Sequence, residues 1–423
     1  MISRALTTLK KEFSFVKGNL LILIVSYTLF RTVSSMSYSF ESLYIRELGA
    51  SPLIIGLMSS LGSLIIAFVR IPGAYVADRY GRRNVIAIFT FGVSFSYLFY
   101  ALAPDWRLIL VGVVILNLCH VYVPALEAIE ADSIPAERRG IGYSIVNVLP
   151  MLPAMITPPI GGFLVDKLGL IPGMRIAYTV VFVGSLLTAL LRAFFLRETL
   201  EDPQEFRKAD VVSTFRESFG SIFEAWREMP RNMAYLTVAL LIGAFETPVF
   251  TIYMSLYAID VIGVGGFEWS LMSTAFMFVG LLVGLPVGRM IDSIGRKRSI
   301  LLAYLFSTPV IVLFILSRSF IPLLLSQILF AVSQAFFFPA FMAFQADLIP
   351  PDKRGRILGV IGTMRTLASV PAAALFGIMY ESSPATPFIC AIVLEILTVA
   401  IVAAKIDEPV HVEETIPPAP PAP

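Results

Sequence analysis

Along the chain, largely uncharged apolar runs of about twenty residues alternate with short polar segments. The runs occupy 19–45, 53–76, 84–103, 108–131, 141–165 and 173–195, and then 233–259, 268–288, 299–317, 321–347, 357–380 and 385–404. A helix needs about 20 largely apolar residues to cross the hydrocarbon core of a bilayer, and only helices or closed barrels satisfy every backbone polar group there. The pattern predicts an all-α integral membrane protein with twelve transmembrane helices, spans 1 to 12. Between spans 6 and 7, residues 196–230 are charged and place Phe206, Val211, Phe215, Phe219, Phe223 and Trp226 at spacings near three or four. That spacing predicts an amphipathic helix lying along the membrane interface.

The twelve runs form two sets of six, and two polar signatures show why. Residues 72–83 read PGAYVADRYGRR and residues 286–297 read PVGRMIDSIGRK, which aligns Pro72 with Pro286, Asp78 with Asp292, Gly81 with Gly295 and Arg82 with Arg296 at one offset of 214. A second pair, ADSIPAERRG ending at Gly140 and ADLIPPDKRG ending at Gly355, aligns Asp132 with Asp347 and Arg139 with Arg354 at an offset of 215. The chain is a tandem duplication. The expected organisation is a six-helix bundle over 1–195, a linker over 196–230, a second bundle over 231–405 and a tail over 406–423. The tail is rich in Pro and Glu and is expected to be disordered.

Composition agrees with a membrane location: 57% of residues are hydrophobic and 15% charged, against roughly 25% charged in soluble domains. Basic residues then set the orientation, because Lys and Arg in short loops are retained on the cytoplasmic side. Of the 32, 24 fall in alternate loops and termini on one side, and Arg46, Arg107, Lys167, Arg175 and Arg318 fall on the other. A multi-pass protein of the plasma or inner membrane with both termini cytoplasmic is expected. The basic N-terminus leads into a full span without a small-residue cleavage site, as a retained start does. The net charge of +2 adds nothing, and the basic face is a topology signal rather than a nucleic-acid site. Cys119 and Cys390 lie inside spans and are too few for a disulfide framework or a metal cluster.

The repeated signature has a physical use. A short loop between spans must turn tightly, which Gly81 and Gly295 permit, and its arginines can bond carboxylates at neighbouring helix ends. Asp132 and Asp347 are the candidate partners. With Gly73, Asp78, Arg79, Gly81, Arg82 and Arg83 in the pattern G-x-x-x-x-D-R-x-G-R-R, its duplicate, twelve spans and a long central linker, residues 15 to 405 resemble the major facilitator superfamily. The resemblance implies two bundles rocking about a substrate site near the bilayer midplane. It implies that spans 1, 4, 7 and 10 line that site. It also implies a cytoplasmic gate in which Asp78 meets the N-terminus of span 11 near Gly355.

Charged groups inside spans are costly, roughly 2.5–3.5 kcal/mol or more at mid-helix, and so face protein or a water-filled cavity. Arg31 stands about 12 residues into span 1, on one face with Tyr27, Ser34, Tyr38 and Glu41. Span 7 carries Glu246, then Tyr253 and Tyr257; span 4 carries Asn117, His120 and Glu127; span 10 carries Gln327, Gln334, Phe341 and Gln345; Arg365 lies in span 11. The candidate cavity is therefore Arg31, Tyr38, Asn117, His120, Glu127, Glu246, Tyr253, Gln334 and Arg365. Two uses of Arg31 stand open, an internal ion pair with Glu127 or contact with substrate. Burial disfavours the charged form of a carboxylate, so Glu246 and Glu127 are the candidates for coupling protons to transport. His120 is either a titrating group or a satisfied bundle histidine. Arg70 and Glu130, nearer the interface, read as snorkelling or structural.

Span 5 contains Thr157, Pro158, Gly161 and Gly162, which resemble the end of the G-P-x-x-G-G motif of family antiporters, with Thr157 in place of the first glycine. Gly112 stands where family drug/proton antiporters carry an arginine in span 4. The favoured function is a secondary active transporter working by alternating access, coupled to protons and exporting small amphipathic or hydrophobic compounds. The alternative is a transporter of an anionic metabolite held by Arg31 and Arg365. A membrane enzyme finds no support, because the chain shows no nucleophile beside a base, no metal-ligand cluster and no phosphate-binding loop in a strand–helix context. The expected partners are a small-molecule substrate, a proton or other coupling ion and the lipid bilayer, with no cofactor and no nucleic acid. A monomer is expected.

Overall fold

The computed structural model describes residues 13–200, 224, 226, 227, 229–349 and 354–408. The linker pattern over 201–223, the tail beyond 408 and the Asp78 side chain lie outside that description. Among the described residues, twelve helices are long and apolar enough to cross a membrane. They are α1 (Asn19–Tyr38), α2 (Pro52–Tyr80), α3 (Arg82–Ala101), α4 (Trp106–Ser133), α5 (Ala136–Leu168) and α6 (Leu170–Phe195). The second half repeats them as α7 (Arg231–Ile262), α8 (Gly266–Ile294), α9 (Arg296–Leu316), α10 (Phe320–Leu348), α11 (Arg354–Ser382) and α12 (Thr386–Lys405). A short helix, Glu41–Glu47, follows α1.

Local chemistry explains where these helices start and yield. Ser51 caps α2 by accepting the Ile54 N–H at 3.3 Å, and Asp105 caps α4 by accepting the Arg107 N–H at 2.8 Å. Proline removes a backbone donor and crowds the preceding turn. Thus α4 tightens over His120–Tyr122 just before Pro124, and α5 is interrupted between Val148 and Pro158, where Pro150 and Pro153 stand. In α7, Pro248 is followed by wide π turns over Val249–Tyr253 and Ala258–Ile262. Such turns are frequent at functional sites.

The two halves meet through α2 on α11, α5 on α8, and the short helix Glu41–Glu47 on α7. The helices have two kinds of end, a basic end carrying the repeated loops and a far end. Among the described residues, the hydrogen bonds and ion pairs that join the halves lie toward the far end. They include Arg46 with Asp260, Ser42 with Ser255 at 2.8 Å, Ser39 with Ser273 at 3.1 Å, and Ser60 to the Val370 carbonyl at 2.5 Å. The apolar core follows the same division. One large cluster, including Phe40, Tyr44, Met58, Leu256, Phe314 and Phe376, spans both halves, whereas one cluster around Phe344 and another around Ile129 each belong to one half. Glycines 280, 284, 288, 359 and 362 on α8 and α11 face open space. Among the described residues, the halves touch at the far end, and none of these hydrogen bonds or ion pairs joins them at the basic end.

The outer surface is apolar. On α12, Ile389, Val393, Ile396 and Leu397 are exposed while Ala391, Glu395, Thr398 and Val402 are buried, so one face meets lipid and the other the bundle.

Candidate functional site

Three adjoining hollows open where the halves meet, and Thr251 of α7 lines all of them. One, of about 290 Å³, lies in the second half and is walled by Glu246, Phe250, Phe276, Tyr304, Gln334, Arg365 and Glu395. Another, of about 280 Å³, lies mostly in the first half and includes Tyr38, Glu41, Tyr100 and Asn117. A third, of about 340 Å³, joins them through Tyr38, Phe250 and Phe330. Phe250 and Phe330 stack at 4.9 Å, with Phe276 5.8 Å from Phe330. The yielding of α7 after Pro248 sets Glu246, Phe250 and Thr251 along this wall.

Glu246 carries the distinctive chemistry. It is 4% exposed, and its Oε1 has no hydrogen-bond partner. Glu395 of α12, 3% exposed, shares the hollow, and its two oxygens accept from Ser307 Oγ at 2.8 Å and Thr308 Oγ1 at 2.7 Å. Arg365 lies on the same wall with no ion-pair partner among the described residues. Two buried carboxylates against one guanidinium leave a surplus of acid in an apolar setting, and such a group takes up a proton, an amine or another cation.

Several expectations change. Glu127 pairs with Arg70 at 3.0 Å rather than with Arg31, and neither Glu127 nor His120 walls these three hollows. Both side chains of the Glu127–Arg70 pair are more than half exposed. His120 Nδ1 lies 2.8 Å from the Leu116 carbonyl, as a satisfied bundle histidine does. Arg31 is exposed one turn from Ser35 on the same face of α1, outside the three walls. Tyr253 is fully buried, and its hydroxyl donates to the Ala373 carbonyl of α11 at 2.6 Å; it is packing rather than cavity wall. Glu130 accepts from Tyr27 at 3.1 Å, next to the buried Arg192, which donates to Ser26 and Thr90.

Sequence reasoning missed Glu395, although a lone acid in an apolar span was a usable signal. It named Glu41 in the α1 stripe without placing it in the cavity.

At the basic end the duplicated loops have matching geometry. Gly81 and Gly295 sit at φ 84° and 97°, a region favouring glycine. Arg82 pairs with Asp132, and Arg296 Nε donates to Asp347 at 3.1 Å. Arg83 Nη2 donates to the Ala193 carbonyl at 2.7 Å, and Lys297 Nζ to the Ala403 carbonyl at 2.9 Å. Arg79 lies over the Tyr75 ring, Asp292 reaches back to Arg296 at 3.4 Å, and Gly73 packs against the Val121 carbonyl. Two further carboxylates complete the symmetry. Glu198 accepts the Arg83 N–H at 3.0 Å, and Glu408 accepts the Arg296 N–H at 2.5 Å. Each caps the first turn of α3 or α9. Truncation after Lys405 is therefore expected to cost about 1 kcal/mol of stability, a cap's worth, while truncation after Glu408 costs little; thermal unfolding in detergent checks this. In α5, Gly161 packs on the Met36 carbonyl, Gly162 on the start of α8, and Pro158 lines the joining hollow.

The Major Facilitator Superfamily model matches residues 23–271 and 262–423. The chain belongs to the Major Facilitator Superfamily. It is 26% identical to the multidrug resistance protein MdtG of Salmonella arizonae, over 72% of this chain and 73% of that one. It is 27% identical to MdtG of Citrobacter koseri over the same shares. Among solved structures, a POT family transporter in complex with 5-aminolevulinic acid superposes with a TM-score of 0.72 at 13% identity, covering 91% of this chain and 94% of that one. A bacterial homologue of the human lysosomal transporter Spinster, in an inward-facing and unoccupied conformation, gives 0.70 at 16%, covering 90% and 95%. These likenesses carry the fold. The family makes this chain a multi-pass membrane transporter of small molecules, not an enzyme.

Proposed function

We propose that the protein exports small amphipathic or hydrophobic compounds in exchange for protons, by alternating access, with its basic end in the cytoplasm. The observation that carries this reading is the buried carboxylate of Glu246, whose Oε1 has no hydrogen-bond partner among the described residues, on an aromatic-walled cavity beside the hydroxyl-anchored Glu395. The multidrug name of the MdtG relatives supports the substrate class, and the surplus of basic residues at the terminal end supports the orientation. A second reading, transport of an anion, rests on Arg365 in the same cavity, which has no ion-pair partner among the described residues; Arg31 does not line that cavity.

Proteoliposomes loaded with a pH-sensitive dye separate the two. Lipophilic cations or neutral amphiphiles that drive proton movement support the exporter. A response confined to organic anions and lost in Arg365→Gln establishes the second reading, and proton silence with transport intact removes the proposed coupling.

A further inference from the structure

The offsets of the duplication recur at the far end, in contacts unrelated to the basic loops. Asp166, in the last turn of α5, accepts the Gly266 N–H at 2.9 Å through Oδ1 and the Phe267 N–H at 3.0 Å through Oδ2. Those are the first two residues of α8. Glu381, at the end of α11, accepts the Leu53 N–H at 3.1 Å, and Leu53 is the second residue of α2. Asp166 and Glu381 are 215 positions apart, while Pro52 and Leu53 are 214 from Gly266 and Phe267. Each half thus lends a carboxylate to the first turn of a helix in the other half, and the two contacts are copies of one another.

Two more duplicated features support the contact. Four residues before each carboxylate stands a glycine, Gly162 or Gly377. A Cβ on Gly162 would lie 2.7 Å from the Gly266 carbonyl oxygen, and one on Gly377 would lie 2.7 Å from Leu53 Cα. The capping helix is therefore in backbone contact with the helix it caps. Between the two caps, Arg46 pairs with Asp260, themselves 214 apart.

The first N–H groups of a helix have no partner within it and carry partial positive charge. A carboxylate from the opposite half satisfies them only while the halves touch. Separation of the far ends must release both caps to water at once, whereas caps made within one half survive that motion.

We propose that Asp166 and Glu381 are paired latches that hold the far end closed and set the ratio of far-end-closed to far-end-open protein. They position the halves and do not touch substrate. The proposal rests on the alternating-access reading above, and its test separates the two. Leu102 and Leu316, symmetry mates at the far ends of α3 and α9 and both 65% exposed, are replaced by spin-labelled cysteines in a Cys119→Ser, Cys390→Ser background. Distance distributions are measured in lipid nanodiscs at several pH values.

Asp166→Ala or Glu381→Ala is expected to raise the open-to-closed ratio about fivefold, from the cost typical of a cap replaced by alanine, and the double variant about 25-fold, because the sites are separate. Asp166→Glu should restore closure. Glu268→Ala is the control, since Glu268 caps the Gly265 N–H of its own helix at 3.0 Å and its loss should leave the ratio unchanged. Two populations in the parent that the double variant leaves unmoved, or an equal shift from Glu268→Ala, would overturn the latch alone. One population under every condition, in parent and double variant alike, overturns alternating access and the latch with it.

Discussion

Glu246→Gln is expected to abolish proton-driven accumulation while leaving substrate exchange in place. Glutamine keeps the shape of the protonated acid but has no proton to release, and the pocket, with one oxygen already unpartnered, tolerates the swap. In the parent, a pH step of about 2 units can sustain at most about a 100-fold substrate gradient for one proton exchanged, because each unit is worth about 1.36 kcal/mol. In the variant the ratio should fall to about 1 at the same pH step, on this argument of stoichiometry. Labelled substrate should still exchange across the membrane, since both faces of the cycle remain available to the neutral form. Accumulation and counterflow, measured on one proteoliposome preparation, decide the matter. Accumulation retained in full would exclude Glu246 and move the search to Glu41 or Glu395, the other acids on the cavity walls.

The fold was legible because its cause is local. A run of apolar residues long enough for a bilayer must be helical, and the duplication set two bundles from the spacing of two loops. The pairings of Arg82 with Asp132 and Arg296 with Asp347 were also legible, since both partners flank short loops. The cavity was legible only in part. Helical spacing assigns a residue to a face but not to the neighbour that face meets. Tyr253 shares the helix of Glu246 yet turns to α11, because the helix widens after Pro248 and its phase shifts. Glu127 found Arg70 on a helix that spacing on α4 cannot see. Glu408 stood in a segment whose composition suggested disorder, and its order comes from two open N–H groups on α9, a tertiary cause.

Gly56→Val is expected to remove the far-end-closed state, with a large effect on transport and little on insertion. A Cβ at Gly56 would lie 2.2 Å from the Ala373 carbonyl oxygen and 2.7 Å from the Tyr253 hydroxyl. The first is backbone and cannot turn aside, so α2 and α11 must separate. That separation also breaks the Ser60 bond to Val370 and the Tyr253 bond to the Pro52 carbonyl. Overpacking of this kind costs about 1–3 kcal/mol, enough to change the ratio of closed to open states by about 5- to 150-fold. Gly284→Ala is the counterpart. A Cβ added at Gly284 would meet no atom of another element within 4 Å among the described residues, so the state described here accepts alanine, and any loss of transport would show that α8 packs closely there when the basic end shuts. Both variants should insert normally, since helices in either half keep their own partners. If Gly56→Val transports at the parent rate, the contact between α2 and α11 is not a required station of the cycle, and far-end closure must be assigned to α5 and α8 instead.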